Sequence, residues 1–411
     1  MMNTKEFEKT LGIALIHSDV DQSLDLAPYA DLAPENVAFV ERFHKSIPFY
    51  RPTPLVSLEN LSRKLGVGGI YVKNESKRFE EFGLNAFKGM GGIFAVGQVI
   101  CRQLGLDPET TTYEMLNSPE IREKTKDMVF ITTTDGNHGR GVAWAAHQYG
   151  CKSYVYMPKG SAQSRVDAIK RVGAEDCIVT EMNYDDTVKL TAKLAKENGW
   201  HLVQDTAWEG YEEIPQLIVQ GYTTLGHEAV EQMEAIGAGE PTHVFLQAGV
   251  GSLAGSLIGY YAHLLKNRPR FIIVEPTMVA CFYNSAKVGD GAPHGVESAE
   301  NTIMAGLNCG EPSIGVWPVI RDLATDYLAC DDDLTEDGMR LYANPVEGDE
   351  AIVSGESAAV GLGLVNRIMS KPELAEIRKA LGFDENSRIL LISTEGATDP
   401  VGYERVVGKK A

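Results

Sequence analysis

Short runs of apolar and β-branched residues recur along the chain and alternate with longer segments of helical character. Runs of this length, bounded by turn residues, are typical of buried strands. Eight of them predict strands: GIYVK (69–73), MVFITTT (128–134), KSYVYM (152–157), DCIVT (176–180), HLVQDT (201–206), THVFLQA (242–248), FIIVEP (271–276) and RILLIST (388–394). The first forty or so residues show no clear period, so we expect an irregular lead-in there.

The spacing of these runs indicates how the strands connect. Between Met128 and Thr206 the strand starts lie about 25 residues apart, which is the length of a strand, a crossover helix and two loops. The segment SAQSRVDAIKRVG supports a helix there, with Ser161 as its expected N-cap and Gly173 at its end. We therefore predict an α/β protein with two subdomains, each built on a central, mostly parallel sheet flanked by helices.

The length of the chain sets the expected domain organisation. A chain of 411 residues is too long for one hydrophobic core of the usual size. Since no low-complexity linker divides the sequence, we expect the second domain to be inserted within the first. The predicted large domain comprises residues 1–90 and 210–411, and the predicted smaller α/β domain comprises residues 91–209.

Composition excludes several classes of partner. A formal net charge of −19, without a basic cluster interleaved with aromatics, argues against nucleic acid. No apolar run is long enough to span a membrane, and MMNTKEFEKT does not read as a signal peptide, so we expect a cytoplasmic protein. The six cysteines lack metal-like spacing, so we predict no metal site. Most should be reduced and buried, with a contact between Cys281 and Cys309 left open.

A glycine-rich loop follows the sixth predicted strand. The segment QAGVGSLAGSLIG (247–259) leads into a helical pattern, so its glycines would bring backbone N–H groups to a helix N-terminus, where phosphate binds. Two other interpretations stay open. The loop is a tight turn without a ligand, or it belongs to a dinucleotide-binding unit in which Glu275 contacts a ribose.

One lysine stands among small and apolar residues in FGLNAFKGMGG (82–92). If Asn85 caps the helix, Lys88 lies in the first turn, where the helix dipole disfavours a cation by about 0.3–1 kcal/mol. The dipole and the apolar neighbours Phe87 and Met90 favour a neutral, nucleophilic amine of the kind that forms a Schiff base. The alternative is a lysine that extends to solvent from a helix start.

A second polar turn, TTTDGNHGRG (132–141), ends a predicted strand and begins a helix. The carboxyl end of a parallel strand is where α/β sheets bind ligands. The turn carries Asp135, Asn137 and His138. Together with Lys88, the glycine loop and the strand end Ser393-Thr394, it predicts pyridoxal phosphate (PLP), since the imine, ring hydroxyl, phosphate and pyridine nitrogen would each have a partner.

These motifs resemble the fold-type-II, tryptophan-synthase-like family of PLP enzymes, which includes serine and threonine dehydratases. Within it, seven strings resemble the 2,3-diaminopropionate ammonia-lyases: FGLNAFKG, TTTDGNHGRGVAWAA, YMPKGSAQSRVDAI, QDTAWEGY, IMAGLNCGEPS, SGESAAVGLG and ISTEGATD. The similarity runs from about Tyr50 to near the C-terminus.

The resemblance implies a role for each cofactor-binding residue. Lys88 would hold PLP covalently, its flanking glycines would give the cofactor room, and Asn137 would hydrogen-bond the ring oxygen. Ser393 or Thr394 would face the pyridine nitrogen, and a hydroxyl there leaves the ring uncharged. The phosphate would be lined by Gly249, Val250, Gly251, Ser252 and Leu253.

The resemblance also implies which residues act on the substrate and which contact it. Related racemases and dehydratases commonly carry a serine where this chain has Asp135, and a carboxylate is both a stronger base and an attractor of a second amino group. The implied catalytic residues are Lys88, Asp135 and Asp205. The implied substrate contacts are Thr134, Asp135, His138 and Asp205. For Asp205 a turn cap, and for His138 a packed helix residue, remain the structural alternatives.

The activity implied by the resemblance is α,β-elimination of D- or L-2,3-diaminopropionate to pyruvate and two ammonia, a step of amino-acid catabolism. The Cα–H bond must stand perpendicular to the cofactor ring, so each isomer needs a base on its own face. We expect Asp135 to serve the D-isomer and Asp205 or Lys88 the L-isomer. The alternatives are a serine or threonine dehydratase of the same fold and a non-catalytic PLP carrier. The resemblance further implies a homodimer.

Overall fold

The structure is a computed structural model that describes residues 2–298 and 300–411. The chain forms two compact units. The first unit comprises Met1–Pro34, Thr53–Lys77 and Leu225–Ala411, and the second comprises Glu35–Pro52 and Arg78–Thr224.

The strands and helices of the described residues follow a regular alternation after the N-terminal segment. The strands are β1 (Thr4–Thr10), β2 (Ile13–Ser18), β3 (Leu55–Ser57), β4 (Gly69–Asn74), β5 (Val129–Thr133), β6 (Lys152–Met157), β7 (Asp176–Val179), β8 (His201–Leu202), β9 (His243–Gln247), β10 (Arg270–Pro276), β11 (Asp326–Cys330) and β12 (Arg388–Ser393). The α-helices are α1 (Pro34–Lys45), α2 (Glu59–Leu65), α3 (Lys88–Leu104), α4 (Tyr113–Leu116), α5 (Pro119–Thr125), α6 (Asn137–Gln148), α7 (Gln163–Arg171), α8 (Tyr184–Asn198), α9 (Glu213–Ala235), α10 (Ser252–Leu264), α11 (Cys281–Val288), α12 (Trp317–Leu323), α13 (Asp332–Ala343), α14 (Val360–Ser370), α15 (Ala375–Leu381) and α16 (Pro400–Val407).

The first unit is built on an eight-stranded sheet of order β1-β2-β11-β10-β9-β12-β4-β3. The strands from β11 to β4 are parallel to one another, and only the outer pairings are antiparallel. All five residues of β9 are buried, as expected for a parallel strand covered on both faces. The prediction of a mostly parallel sheet is confirmed for this unit.

The second unit is built on the four-stranded, fully parallel sheet β7-β6-β5-β8. Its strands are those that the 25-residue spacing predicted, so the predicted parallel βαβ units are confirmed. The crossover segments are α6, α7 and α8.

The boundaries of the second unit differ from the predicted insert at residues 91–209. The unit also contains Glu35–Pro52 and begins at Arg78. The helix α3 lies closely on α6, because a Cβ atom on Gly92 would come within 2.9 Å of the carbonyl carbon of Gly141. A cut at residue 91 would therefore divide a tightly packed helix pair.

Three local predictions were wrong. The N-terminal segment is a β-hairpin of β1 and β2 rather than an irregular lead-in, and β2 pairs with β11. Asn85 has a left-handed φ of 48° and does not cap α3, whose N-cap position is held by Phe87. Ser161 does not cap α7 either: its hydroxyl donates to the carbonyl of Pro158, and Ala162 precedes the helix.

Two glycines near Lys88 lie close to neighbouring protein atoms. A Cβ on Gly89 would lie 2.9 Å from side-chain atoms of Leu84 and Phe79, and one on Gly141 would lie 3.0 Å from the carbonyl oxygen of Lys88. Neighbouring protein atoms therefore lie close to both positions. That the glycines beside Lys88 give the cofactor room stays a prediction.

No disulfide joins the six cysteines, and all but Cys309 are buried. The expectation of mostly buried, reduced thiols is confirmed.

Among the helices of residues 2–298 and 300–411, none combines the length and apolar character needed to cross a bilayer.

Candidate active site

The second sheet changes direction between β5 and β8. The chain leaves β5 toward β6 and β7 on one side, then returns to place β8 on the other side of β5. The loops that leave these two neighbouring strands therefore diverge, and such a switch point opens a crevice at the carboxyl ends of the strands. One loop carries Thr134 and Asp135, and the other carries Asp205.

Lys88 and Asp205 form a buried ion pair at this edge. Lys88 is the first residue of α3, and its Nζ donates to Oδ2 of Asp205 at 2.5 Å. The Asp205 side chain is only 4% exposed and that of Lys88 is 17% exposed. A carboxylate so close stabilises the ammonium form of Lys88, which opposes the effect of the helix start and of the apolar neighbours.

His138 is the third member of this cluster. Its Nε2 lies 2.8 Å from the carbonyl oxygen of Val203, which can only accept, so Nε2 carries a proton. Its Nδ1 lies 3.6 Å from Oδ2 of Asp205. The ring extends from α6 to the loop after β8, where the backbone carbonyl of Val203 fixes its orientation.

The charges of the cluster follow from burial and from these contacts. Burial lowers the pKa of His138, although Asp205 opposes the shift, so we take the ring to be neutral at neutral pH. Burial acts to raise the pKa of Asp205, but His138 and Lys88 outweigh it and lower that pKa to about 2. The effect of His138 requires the protonated ring and so applies at low pH, whereas at neutral pH the Lys88 ammonium keeps Asp205 ionised.

The turn after β5 is held by its own hydrogen bonds. The hydroxyl of Thr134 accepts from the backbone N–H groups of Gly136 at 2.8 Å and Gly139 at 3.0 Å, so it caps the start of α6. The backbone carbonyl of Asp135 accepts from Nη1 of Arg165 at 3.0 Å, and the Asp135 residue is half-buried. A capping role for Thr134 is what the structure describes, while a substrate contact stays a prediction.

Asn137 is oriented by an arginine that the sequence reasoning missed. Asn137 is the first residue of α6, and its Oδ1 accepts from Nη2 of Arg140 at 2.8 Å. Arg140 is buried and also donates to the carbonyl of Leu84. The signal in the sequence was an arginine three residues after Asn137 on a helix otherwise rich in glycine and alanine, a position where a charge needs a partner.

The first unit carries the glycine loop between β9 and α10. Gly251 has a φ of +93°, and a Cβ there would lie 2.4 Å from Cζ of Phe282, so only glycine fits. The loop is anchored where the carbonyl of Val250 accepts from the N–H of Ser313 at 3.0 Å. It leads into the thirteen residues of α10, whose first-turn N–H groups have no acceptor within the helix. The residues of this segment that were predicted to line the phosphate are Gly249, Val250, Gly251, Ser252 and Leu253.

Ser393 and Thr394 lie at the same edge of the sheet as the glycine loop. Strands β9 and β12 are neighbours, with Phe245 opposite Leu391, so the end of β12 is level with the end of β9. The hydroxyl of Ser393 donates to Oγ of Ser354 at 2.9 Å, and both side chains are fully buried. This edge offers N–H groups for a phosphate and an uncharged hydroxyl for a pyridine nitrogen, which fits PLP.

Glu275 does not support the dinucleotide interpretation. Its two carboxylate oxygens accept from the N–H groups of Phe282 at 2.8 Å and Tyr283 at 2.7 Å, so it caps α11. Burial raises the pKa of Glu275 to about 8, although these N–H groups oppose the shift. The side chain is fully buried in this capping role, so it is not exposed to a ribose.

Comparison with known proteins decides the family. Residues 47–395 match the family described as "Pyridoxal-phosphate dependent enzyme". The chain belongs to this family. The match covers both the lysine of α3 and the glycine loop after β9, so the predicted cofactor, PLP, and the predicted fold type II are confirmed.

The relatives narrow the family further. The chain is 51% identical over 367 residues to the diaminopropionate ammonia-lyase of Salmonella typhimurium, which covers 89% of this chain and 90% of the relative. It is 51% identical over 373 residues to that of Escherichia coli K12, covering 90% and 91%. A catabolic L-threonine dehydratase of Staphylococcus aureus is 24% identical over 296 residues, covering 71% and 72%.

A solved structure agrees with these relatives. Holo diaminopropionate ammonia-lyase from Escherichia coli superposes with a TM-score of 0.88 at 46% identity, covering 97% of each chain. The resemblance to the diaminopropionate ammonia-lyases is thus confirmed.

Proposed function

We propose that the chain is a PLP-dependent ammonia-lyase that eliminates 2,3-diaminopropionate to pyruvate and two ammonia. The observation that carries the proposal is the 51% identity to diaminopropionate ammonia-lyases over 89% of the chain. It is supported by Escherichia coli ammonia-lyase structures described as complexes with D-serine and with an aminoacrylate-PLP azomethine reaction intermediate.

Residues suited to hold parts of the cofactor occur in each unit. Lys88 would bind its carbonyl carbon, and Asn137, oriented by Arg140, would donate to its ring oxygen. In the first unit, the loop at Gly251 would take the phosphate and Ser393 the pyridine nitrogen. Once bound, PLP supplies an electron-accepting ring that stabilises negative charge at the substrate Cα. We propose the first unit as the main cofactor-binding domain on these grounds.

Asp205 is suited to hold a proton near Lys88. In the described state its pKa of about 2 makes it a weak base, because the Lys88 ammonium stabilises the carboxylate. Where the Lys88 amine is neutral, it no longer stabilises the carboxylate by its charge, so the pKa of Asp205 would rise. The carboxylate would then be a better base for the Cα proton of the L-isomer.

Asp135 is proposed as the base for the D-isomer and as a group that attracts the second amino group of the substrate. Its turn is held by Arg165 and by the Thr134 cap, so the carboxylate is presented from a fixed backbone. The test is the Asp135→Asn variant with each isomer separately. Turnover of D-diaminopropionate should fall by about 10²-fold or more with smaller loss for the L-isomer. Unchanged D-turnover would remove the assignment.

The decisive assay is pyruvate formation from D- and L-diaminopropionate, measured separately with added PLP. D-Serine and L-threonine serve as the comparison substrates. Faster release of pyruvate from either diaminopropionate isomer supports the lyase, whereas preferential turnover of a hydroxy amino acid supports the dehydratase. Cofactor absorbance that is lost in Lys88→Ala, without keto-acid release from any of the four, supports the carrier.

We further propose a cytoplasmic homodimer. The absence of disulfides among six cysteines is typical of a reducing compartment, and the dimer rests on the family resemblance. Sedimentation equilibrium of the holoenzyme at several concentrations should give twice the chain mass of 44.8 kDa. A single-chain mass at all concentrations contradicts the dimer.

A further inference from the structure

Tyr222 carries a buried hydroxyl that has no role in the proposed elimination. The side chain lies on α9 within the second unit and is fully buried. Its Oη has no hydrogen-bond partner among the residues that the structure describes. Leaving such a group unsatisfied costs about 1–3 kcal/mol, so a phenylalanine would be the cheaper residue unless the hydroxyl acts at some stage.

The position of the phenol is set by two glycines. A Cβ on Gly221 would lie 2.8 Å from Cα of Gly91, so α9 and α3 approach closely here. A Cβ on Gly91 would lie 2.7 Å from Cε1 and 2.9 Å from Cζ of Tyr222. The hydroxyl-bearing end of the ring is thus seated on the first turn of α3. Lys88 is three residues before Gly91, on the same helix face.

A phenylalanine links the phenol to the amine. The ring centroid of Phe87 lies 4.7 Å from that of Tyr222, and Nζ of Lys88 lies 5.6 Å from the Phe87 centroid. Burial raises the pKa of Tyr222. Asp205 adds to this rise and Lys88 opposes it, so the hydroxyl stays protonated and can donate a hydrogen bond. The charged groups that interact with it are Lys88 from α3 and Asp205 from the loop after β8.

We propose that Tyr222 is a positioning residue that gives the Lys88 amine a hydrogen-bond partner in addition to Asp205. Asp205 holds the ammonium form. When Nζ loses a proton to solvent water, which reaches the 17% exposed side chain, its freed lone pair accepts from the O–H of Tyr222, and no other bond is made or broken. The inference rests on the proposed function, because the neutral amine is the form of Lys88 that attacks a carbonyl carbon.

The test is Tyr222→Phe, which keeps the ring and removes only the oxygen. The matched control is Tyr342→Phe, because Tyr342 lies in the core of the first unit and also has a buried hydroxyl without a partner among the described residues. The first readout uses apoprotein: the rate at which an amine-selective acylating reagent modifies Lys88, followed by peptide mass spectrometry from pH 6 to 11. The second is kcat and KM of the holoenzyme.

A hydrogen bond to the neutral amine favours that form, so its loss should slow Lys88 acylation at neutral pH by about tenfold and move the profile to higher pH. We expect kcat to fall with little change in KM, and Tyr342→Phe to match the wild type in both readouts. Gly91→Ala, which displaces the phenol, should shift the profile in the same direction.

An acylation profile of Tyr222→Phe that equals the wild type, with an unchanged or raised melting temperature, overturns the proposal, because the hydroxyl is then only an uncompensated group. The acylation readout needs neither cofactor nor substrate. Failure of the lyase assay with a shifted Lys88 profile would therefore contradict the proposed function and leave the role of Tyr222 standing.

Discussion

The two units present opposite kinds of chemistry at their sheet edges. In the second unit, the edge at β5 and β8 carries a buried ion pair between Lys88 and Asp205. In the first unit, the edge at β9 and β12 carries the backbone of Gly251 and the hydroxyl of Ser393, with no charged side chain in either role. Proton transfer needs groups that change charge, whereas binding a phosphate and an uncharged ring nitrogen needs fixed dipoles.

The largest effect should come from Lys88→Ala. Loss of the only amine in the ion pair should abolish covalent cofactor attachment and reduce turnover by about 10³-fold or more. The measurements are the absorbance of PLP that survives dialysis and pyruvate release. Lys193→Ala is the control, because that side chain is 70% exposed and pairs loosely with Glu197 at 3.8 Å. Retained covalent PLP in Lys88→Ala would assign the attachment to another lysine.

Asp205→Asn should rank second. The amide keeps the shape but cannot take a proton, so kcat should fall by about 10²–10³-fold, most strongly for the L-isomer. As a control, Asp176→Asn removes the Lys170–Asp176 pair, whose side chains are nearly half exposed, and should change kcat and stability very little. Equal kinetic losses in the two variants would contradict a special role for Asp205.

Gly251→Ala tests the first unit. The added Cβ meets Phe282 at 2.4 Å and also imposes a positive φ on alanine, so we expect a loss of about 2–4 kcal/mol in unfolding free energy and weaker PLP binding. Gly66→Ala separates the two causes, because Gly66 has a φ of +72° but nothing within 4 Å of the added atom. The measurements are urea unfolding and PLP titration. Equal losses in both variants would show that backbone strain alone is responsible.

The acid stability of the protein should report on Asp205. Its pKa is lowered in the folded state, so its stabilising contribution is complete above the ordinary value near 4 and is lost as pH falls toward about 2. From that shift the contribution is roughly 2 kcal/mol. Urea unfolding of the apoprotein at pH 5, 4, 3 and 2.5 measures it. In Asp205→Asn this part of the pH dependence should disappear, and an identical slope would refute the assignment.

Ser393→Ala should have the smallest effect. It removes a hydroxyl that donates to Ser354, at a cost of about 1 kcal/mol. The single proton of that hydroxyl would turn to the pyridine nitrogen when the cofactor is bound. We expect less than a tenfold loss of kcat and a small shift in the cofactor absorbance maximum. Ser354→Ala controls for the lost serine pair, so a matching spectral change there would remove Ser393 from the nitrogen contact.

Much of the second unit could be predicted from the sequence. The strands β5 to β8 were found because their apolar runs and their 25-residue spacing are local properties. The turn at Asp135 and the lysine at residue 88 were found for the same reason, since each motif lies within ten residues. The N-terminal hairpin was missed because β1 reads TKEFEKT, an exposed edge strand without the apolar signal of a buried one.

The types of reactive side chain and the parallel βαβ units were thus determined by the sequence itself. Only the tertiary structure decided the partners. Asp205 accepts from the Lys88 ammonium, and Arg140 orients Asn137. The space beside the glycines near Lys88 is occupied by Phe79, Leu84 and α6. The physical reason is distance along the chain. Secondary structure follows from neighbours a few residues apart, whereas Lys88 and Asp205 are 117 residues apart and meet in a fold in which β8 pairs with β5.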